Sequence, residues 1–314
     1  MRVKVLGSAA GGGFPQWNCN CRLCNGVRTG SLQATKRTQS SIAVSGNRGD
    51  TTDPAPLDQW VLFNASPDIL TQLQSYDPLQ PGRHVRDTGI ISVVLMDAQI
   101  DHTAGLLMLR EHSAQLPLWT TAAVREDLSH GNPLLGVLEH YCRVDWHELS
   151  LDAGPSQIPG ADNIDFQPLP LISNAPPFSP HRDKPRSGDT IGMLMTRRDN
   201  NKKLFYAPGV GQMEDHVWAA MQNADVVMVD GTMWTDDEMQ QAGISTKTAL
   251  SMGHLPQSGP GGMLEWLDQL PDTTRKILIH INNTNPILDE NSSQRKTLQE
   301  HGIEIAFDGM EIDL

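Results

Sequence analysis

The densest chemistry in the chain lies in Asp97-Ala-Gln99-Ile-Asp101-His102-Thr-Ala-Gly105. Two carboxylates, one imidazole and one amide at this spacing suit a divalent metal ion, because oxygen and nitrogen donors accept several such ions. On its own the Asp-His pair would serve equally as a strand-to-helix turn, with Asp101 capping the helix. A second cluster, Cys19-Asn-Cys21-Arg-Leu-Cys24, places three thiols close together. Such thiolates supply three of the four tetrahedral ligands of a structural zinc. The other reading is a redox-sensitive loop without metal, and no histidine close by in sequence offers a fourth ligand. Three further histidines stand where a loop could present them: His181, His254 and His280. Each has an ordinary alternative as a surface, loop or strand-end residue.

These groups need elements to position them. Residues 89–96 form an almost unbroken apolar run with β-branched members, which predicts a buried strand. Residues 104–112 carry apolar residues at helical spacing and end in Arg110 and His112, which predicts a short helix with a basic last turn. The metal-capable loop then sits at the carboxyl end of a core strand. Strands are also expected at 2–7, 40–44, 60–63, 117–120, 162–169, 225–230 and 276–281, with 303–307 as the closing strand. Residues 191–196 and 203–206 read as a hairpin. Helices are expected at 69–73, 137–142, 215–223, 262–270 and 292–301. Residues 45–57 read as a surface loop, and the Pro-rich stretch 175–182 cannot be regular structure. The glycines of Gly7-Ser-Ala-Ala-Gly11-Gly12-Gly13-Phe-Pro15 lack the Gly-x-Gly-x-x-Gly spacing, so they read as backbone turning beside a site rather than as a dinucleotide loop. The pattern gives an α/β fold, one domain over 1–314, with two sheets flanked by helices.

The length of 314 residues allows a sizeable core. The net charge of -13 argues against nucleic-acid or membrane-surface partners. No run approaches the roughly 18 apolar residues of a membrane span, and the amino terminus enters a strand at once without a signal segment. The expected compartment is the cytoplasm. Four cysteines make no disulfide framework in a chain this long, and the isolated Cys142 reads as a small core residue.

The Asp97 loop resembles the metal loop of the metallo-β-lactamase superfamily, His-x-His-x-Asp-His followed by glycine. Asp101, His102 and Gly105 match, while Asp97 and Gln99 replace the first two histidines. The glycine cluster, the cysteine cluster and Asn64-Ala-Ser-Pro-Asp68 extend the likeness. Ser179-Pro-His-Arg182, Tyr206-Ala-Pro-Gly209 and Asp230-Gly-Thr232 continue it, followed by Gly253-His-Leu-Pro256 and His280-Ile-Asn-Asn-Thr-Asn-Pro286. Together, and in this order, they resemble the coenzyme pyrroloquinoline quinone (PQQ) biosynthesis protein B family of that superfamily.

The resemblance implies an αββα sandwich with a metal site at the edge of its two sheets. Hydrolases of the superfamily hold two metals joined by an aspartate, and here that position falls in Ala207-Pro208-Gly209, which has no side chain able to bridge. What survives is Asp101, His102 and His280, a two-histidine, one-carboxylate set that suits iron(II) in oxygen-activating enzymes. Asp97 would ligate or orient His102. His254 occupies a position that implies acid/base work, alongside Asp101 in the catalytic group. Gln99 and His181 are candidate substrate contacts. Asn283 falls where relatives carry the fourth zinc ligand, a histidine. The implied function is PQQ biosynthesis through iron-dependent hydroxylation of a tyrosine-derived peptide precursor. The alternatives are a carrier of PQQ or its precursor toward the periplasm, and a metal-dependent hydrolase. Expected cofactors are a structural zinc and an active-site divalent metal, iron(II). Expected partners are that peptide-derived substrate or PQQ, with the choice between monomer and homo-oligomer left open.

Overall fold

A computed structural model describes residues 1–46, 59–182 and 184–314. The first sheet runs β14-β1-β2-β3-β4-β5-β6. Its members are β1 (Arg2–Gly7), β2 (Ser41–Ser45), β3 (Trp60–Phe63), β4 (Ile90–Val94), β5 (Leu116–Thr120), β6 (Val144–Glu148) and β14 (Glu311–Asp313). Strands β3 to β6 pair in parallel, and β1 pairs antiparallel with both β2 and β14. The second sheet runs β13-β12-β11-β10-β9-β8-β7. It comprises β7 (Ser156–Gln157), β8 (Ile164–Pro170), β9 (Ile191–Arg197), β10 (Lys203–Ala207), β11 (Val226–Asp230), β12 (Arg275–Ile279) and β13 (Ile303–Ile305). Strands β10 to β13 are parallel, and the rest are antiparallel.

The parallel strands read as continuous apolar runs because both of their faces are covered. Between the sheets lies a core that includes Val44, Phe63, Val94, Met193, Tyr206 and Ile277. The outer face of the first sheet packs under α2 (Ile69–Gln74), α4 (Ala122–Glu126) and α5 (Leu134–Leu138). The outer face of the second packs under α6 (Asp215–Gln222), α8 (Met263–Asp268) and α9 (Ser293–Glu300). Helices α1 (Arg22–Thr29), α3 (Ile100–Thr103) and α7 (Glu238–Gln241) lie in connections that reach the sheet edge. No helix among the described residues is long and apolar enough to cross a membrane.

Several sequence expectations need correction. The helix expected over 104–112 begins a turn earlier, as α3, and continues as a 3₁₀ turn, Ala104–Leu109. The cause is a contact distant in sequence: the His102 carbonyl accepts from Ala65 N and Gly105 N donates to Ala65 O, so both groups leave the helical ladder. The helix expected over 137–142 is α5, which ends at Leu138 because the chain turns through Arg143 at φ 62° into β6. Cys142 is half-buried rather than a core residue. Strand β13 does not close the fold, because β14 follows and pairs with β1. The loop expected over 45–57 falls largely outside the described residues.

Two hydrogen-bonded bridges join the sheets at one edge. Ala9 pairs with Ile281, and Asp97 pairs with Thr190. The Asp97 loop is seated there by Gly105, whose missing side chain lets two backbones meet. A Cβ on Gly105 would lie 2.1 Å from Ser66 O and 2.7 Å from Ala65 O. Gly105→Ala is therefore expected to lower stability by about 2–3 kcal/mol and to displace His102. Thermal unfolding with and without added metal checks this, and an unchanged midpoint would contradict the role given to Gly105.

Candidate metal centres

Asp101 and His102 enter from α3, directly after the bridge at Asp97, and His280 enters from the end of β12. His280 Nε2 lies 3.3 Å and His102 Nε2 3.9 Å from Asp101 Oδ2. Both nitrogens that face the cluster are oriented from behind. Asp97 accepts from His102 Nδ1 at 2.8 and 2.9 Å through its two carboxylate oxygens. Thr232 Oγ1 lies 2.8 Å from His280 Nδ1 and 2.6 Å from Asp230 Oδ1. The threonine hydroxyl donates to Asp230, so it accepts from His280 Nδ1–H. Each imidazole thus directs Nε2 at the cluster, as metal-ligating histidines do when their other nitrogen is held by a carboxylate or hydroxyl.

His102 Nε2 is buried and has no hydrogen-bond partner. An unsatisfied buried polar atom costs about 1–3 kcal/mol. Beside a carboxylate and a second imidazole, that orphaned atom fits a cation. Burial alone would lower the His102 pKa, but the Asp97 and Asp101 carboxylates outweigh it and hold it up to about 9. Burial would raise Asp101, yet His102 and His280 keep it well below the usual carboxylate range. A proton on His102 thereby supplies the positive charge that a metal would otherwise bring.

The sequence-predicted residues do not all converge. Asp97, Gln99, Asp101, His102, His254 and His280 line one cavity of about 240 Å³. Gln99 is fastened by its Nε2, which donates to Asn174 O at 3.1 Å. His181 does not line this cavity. Its Nε2 lies 3.6 Å from Glu126 Oε1, and the next residue, Arg182, faces the cavity instead. The correction has a simple cause: the turn that places Arg182 inward directs its neighbour outward.

Sequence reasoning missed the role of Asp230. It is fully buried at the end of β11, where Oδ2 accepts from His254 Nδ1 at 2.7 Å and from Val210 N at 2.8 Å. Burial opposes a charged His254, but the Asp230 carboxylate outweighs it and raises the histidine's pKa. The readable signal was an aspartate closing an apolar strand before Gly231-Thr232, a place where a lone carboxylate needs partners.

The three cysteines gather at the start of α1, where Cys21 is the N-cap and its sulfur accepts from Cys24 N. The three Sγ atoms lie within 4.8 Å of one another. Asn283 reaches all of them, with Nδ2 at 3.1 Å from Cys19, 3.9 Å from Cys21 and 3.4 Å from Cys24. Burial pushes the Cys24 thiol up to about 11. At Cys19 burial is outweighed by hydrogen bonds from Cys21, Cys24 and Asn283, and the pKa falls. Three crowded sulfurs with one amide between them suit a cation that takes them as thiolates.

Comparison with known proteins bears on the family and the fold. Residues 59–281 match the model of the Beta-lactamase superfamily domain. A protein named Coenzyme PQQ synthesis protein B from Azoarcus sp. (strain BH72) is 62% identical over 314 residues, covering 100% of both chains. The chain belongs to the PQQ synthesis protein B family. A relative of the same name from Nitrosococcus oceani is 56% identical over 319 residues, covering 100% of both chains. The crystal structure of Zn(2+)-bound PqqB from Methylobacterium extorquens superposes with a TM-score of 0.88 at 32% identity, covering 100% of both chains. A diphosphatase of the PhnP family shares the fold, with a TM-score of 0.64 at 17% identity over 100% of this chain and 97% of the other.

Two outcomes follow from the two clusters. Asp97→Asn keeps the shape but weakens the hold on His102, so metal affinity at the Asp101 cluster should fall about 10–100-fold. Competition with a metal-binding dye measures this, and an unaltered affinity would remove Asp97 from that role. Cys21→Ser should expel the metal at the cysteine cluster and lower the unfolding midpoint. Zinc content by elemental analysis decides it, since undiminished zinc in the variant means the thiols are not ligands.

Proposed function

We propose that this chain acts in PQQ synthesis as an iron-dependent hydroxylase of a tyrosine-derived peptide precursor, with a structural zinc on Cys19, Cys21 and Cys24. The observation that carries the reading is the single open face made by Asp101, His102 and His280. Iron(II), when bound there, supplies the activation of dioxygen, and such a face leaves open positions. The family's name supports the pathway. The relative described as Zn(2+)-bound supports a zinc in the family.

The chain's own residues supply the rest. Asp97 sets the ring of His102 and fixes its tautomer. Thr232 does the same for His280. His254, half-buried over the cavity, has Nδ1 committed to Asp230 and leaves Nε2 to take or give a proton at the substrate. Its ring stacks on that of His280 with centroids 5.4 Å apart, so it stands beside the metal face rather than within it. Asn283 completes the zinc shell through its amide oxygen once the amide is turned end for end. Nitrogen and oxygen of an amide are told apart by their hydrogen-bond partners, and bound thiolates would no longer need a donor there.

A second reading, a two-metal hydrolase, rests on Asp230, His254 and His280, whose ligand atoms also lie close together. Against it, the Asp230 oxygens are already taken by Val210 N, Thr232 and His254. A pure carrier would bind quinone without turnover.

The test uses anaerobically purified protein loaded with iron(II), a tyrosine-containing peptide and an oxygen electrode. His102→Ala should abolish iron binding and oxygen uptake while the zinc content stays. His254→Ala should retain iron and slow uptake by about 10²-fold or more. Oxygen uptake undiminished in His102→Ala, or two equally occupied metals outside the cysteine cluster, would sink the proposal.

A further inference from the structure

A second, larger cavity, of about 690 Å³, opens on the first sheet away from the Asp101 cluster. Ile90 and Leu116, the first residues of β4 and β5, line it, whereas Asp97 follows the far end of β4. Its walls are apolar, with Leu73, Leu79 and Leu109 beside Leu116. Leu70, Val85 and Met108 belong to the same surface and are exposed. Exposed apolar groups gathered in one place mark a contact site, whereas single ones mean little.

Val85 is fully exposed, on a loop built to hold it there. The Asp87 carboxylate accepts from Gly82 N at 3.0 Å, Arg83 N at 2.8 Å and His84 N at 3.1 Å. The Arg83 guanidinium donates to Thr88 O at 2.7 Å and closes the loop at its base. A loop fixed in this way has little freedom left to lose on contact. An apolar knob and an apolar cavity thus adjoin on one surface. Such a surface complements itself. Under a two-fold axis passing between them, the knob of each copy meets the cavity of the other. The exposed Leu70 and Met108 supply the apolar contact around it.

The charges at the rim have the same property. Arg86 adjoins the knob, and Glu111 lines the cavity. Their own approach is 3.9 Å, too long for a hydrogen bond, with side chains 77% and 68% exposed. Glu111 also lies 3.8 Å from Arg110. Both side chains are therefore free to pair elsewhere. The axis that seats Val85 also carries Arg86 of each copy toward Glu111 of the other, so opposite charges meet twice. A small apolar ligand would fill the cavity but would use neither the outward valine nor the charged rim, and this favours a second copy of the chain.

We propose that this face joins two copies in an isologous dimer, Val85 of each seated in the other's apolar cavity and Arg86 of each against Glu111 of the other. The proposal is independent of the reaction assigned above. The metal face stays open in both copies, because it lies beyond the other end of β4.

The test is sedimentation velocity of the full-length, metal-loaded protein. At about 10 μM it should run at twice the chain mass of 34.5 kDa. Val85→Asp places a carboxylate in each apolar cavity and should weaken the dimer about 100-fold or more. Its unfolding midpoint, at a dilution where the wild type is also monomeric, should be unchanged. Arg86→Glu and Glu111→Arg should each weaken the dimer about tenfold. An equal mixture of these two variants should regain it, because each then meets the opposite charge on its partner at both contacts. That recovery requires pairing between copies and excludes a purely internal Arg86–Glu111 contact. A wild type that stays monomeric at about 100 μM would overturn the proposal. Were that monomer to bind an apolar fluorescent dye, with binding lost in Leu116→Asp, the cavity would belong to a small ligand. A dimer indifferent to Val85→Asp, no recovery on mixing, or assembly into open chains larger than a dimer would overturn it equally.

Discussion

His280 leaves β12 in a left-handed backbone conformation, φ 62°, and the residues that follow it serve two sites at once. A side chain other than glycine in that conformation costs of order 1–3 kcal/mol and persists only where its surroundings over-determine it. Here they do. Ile281 N donates to Ser8 O and Ala10 N donates to Ile281 O, which ties the end of the second sheet to the end of β1 in the first. Asn282 N donates to Thr232 O and so ties the same segment to the end of β11. The strain is local, and the hydrogen bonds that hold it run both across to the first sheet and within the second. One consequence is that His280 faces Asp101 while Asn283, three residues on, faces the cysteines. Any shift of this segment would move both clusters together.

Electrostatics explains why three imidazoles can be gathered in such a place. Each is set against an anion or a hydroxyl at the nitrogen turned away from the cavity: Asp97 behind His102, Thr232 and then Asp230 behind His280, and Asp230 behind His254. The carboxylates therefore form an outer layer, the imidazoles an inner one, and Asp101 alone joins the inner layer. Charge of one sign is surrounded by groups that can carry the other, which lowers the cost of burying either. Such an arrangement favours a cation at the centre, whether a proton or a metal, and disfavours an empty neutral site. Gly11 helps close it, since a Cβ there would stand 3.2 Å from Asp101 Oδ2.

Much of this was legible in the chain. The buried parallel strands announced themselves as apolar runs, and the metal-capable residues clustered at strand ends where loops carry function. The resemblance placed His280 with Asp101 and His102, groups far apart in sequence, which no periodicity could have done. What stayed hidden depended on non-local backbone contacts. The pairing of Ala65 with His102 and Gly105 turned a predicted α-helix into a 3₁₀ turn, and the turn at Ser179 puts Arg182, not His181, against the cavity. Strand β14 was too short to signal itself and exists because β1 offers it an edge. Asp230 was visible as a residue but not as a partner, because its worth lies in which groups it reaches through space.

The replaced histidines of the superfamily loop make sense in these terms. Asp97 stands where a ligand to another metal would be expected, but both of its oxygens are turned onto His102. Gln99 is turned onto the Asn174 carbonyl, and Gly209 lines the cavity with no side chain at all. Of three positions that could have built a second metal site, Asp97 steadies His102, Gln99 is tied to the Asn174 loop, and Gly209 leaves room beside the cluster. Loss of ligands here is a redistribution: the same loop gives up two histidines and gains a better-fixed imidazole at His102. Space freed on the Gly209 side lies against His254, whose Cε1 would be 3.9 Å from a Cβ on that glycine. His254 then borders open volume next to the Asp101, His102 and His280 cluster, where a two-metal site would have been closed by a bridging carboxylate.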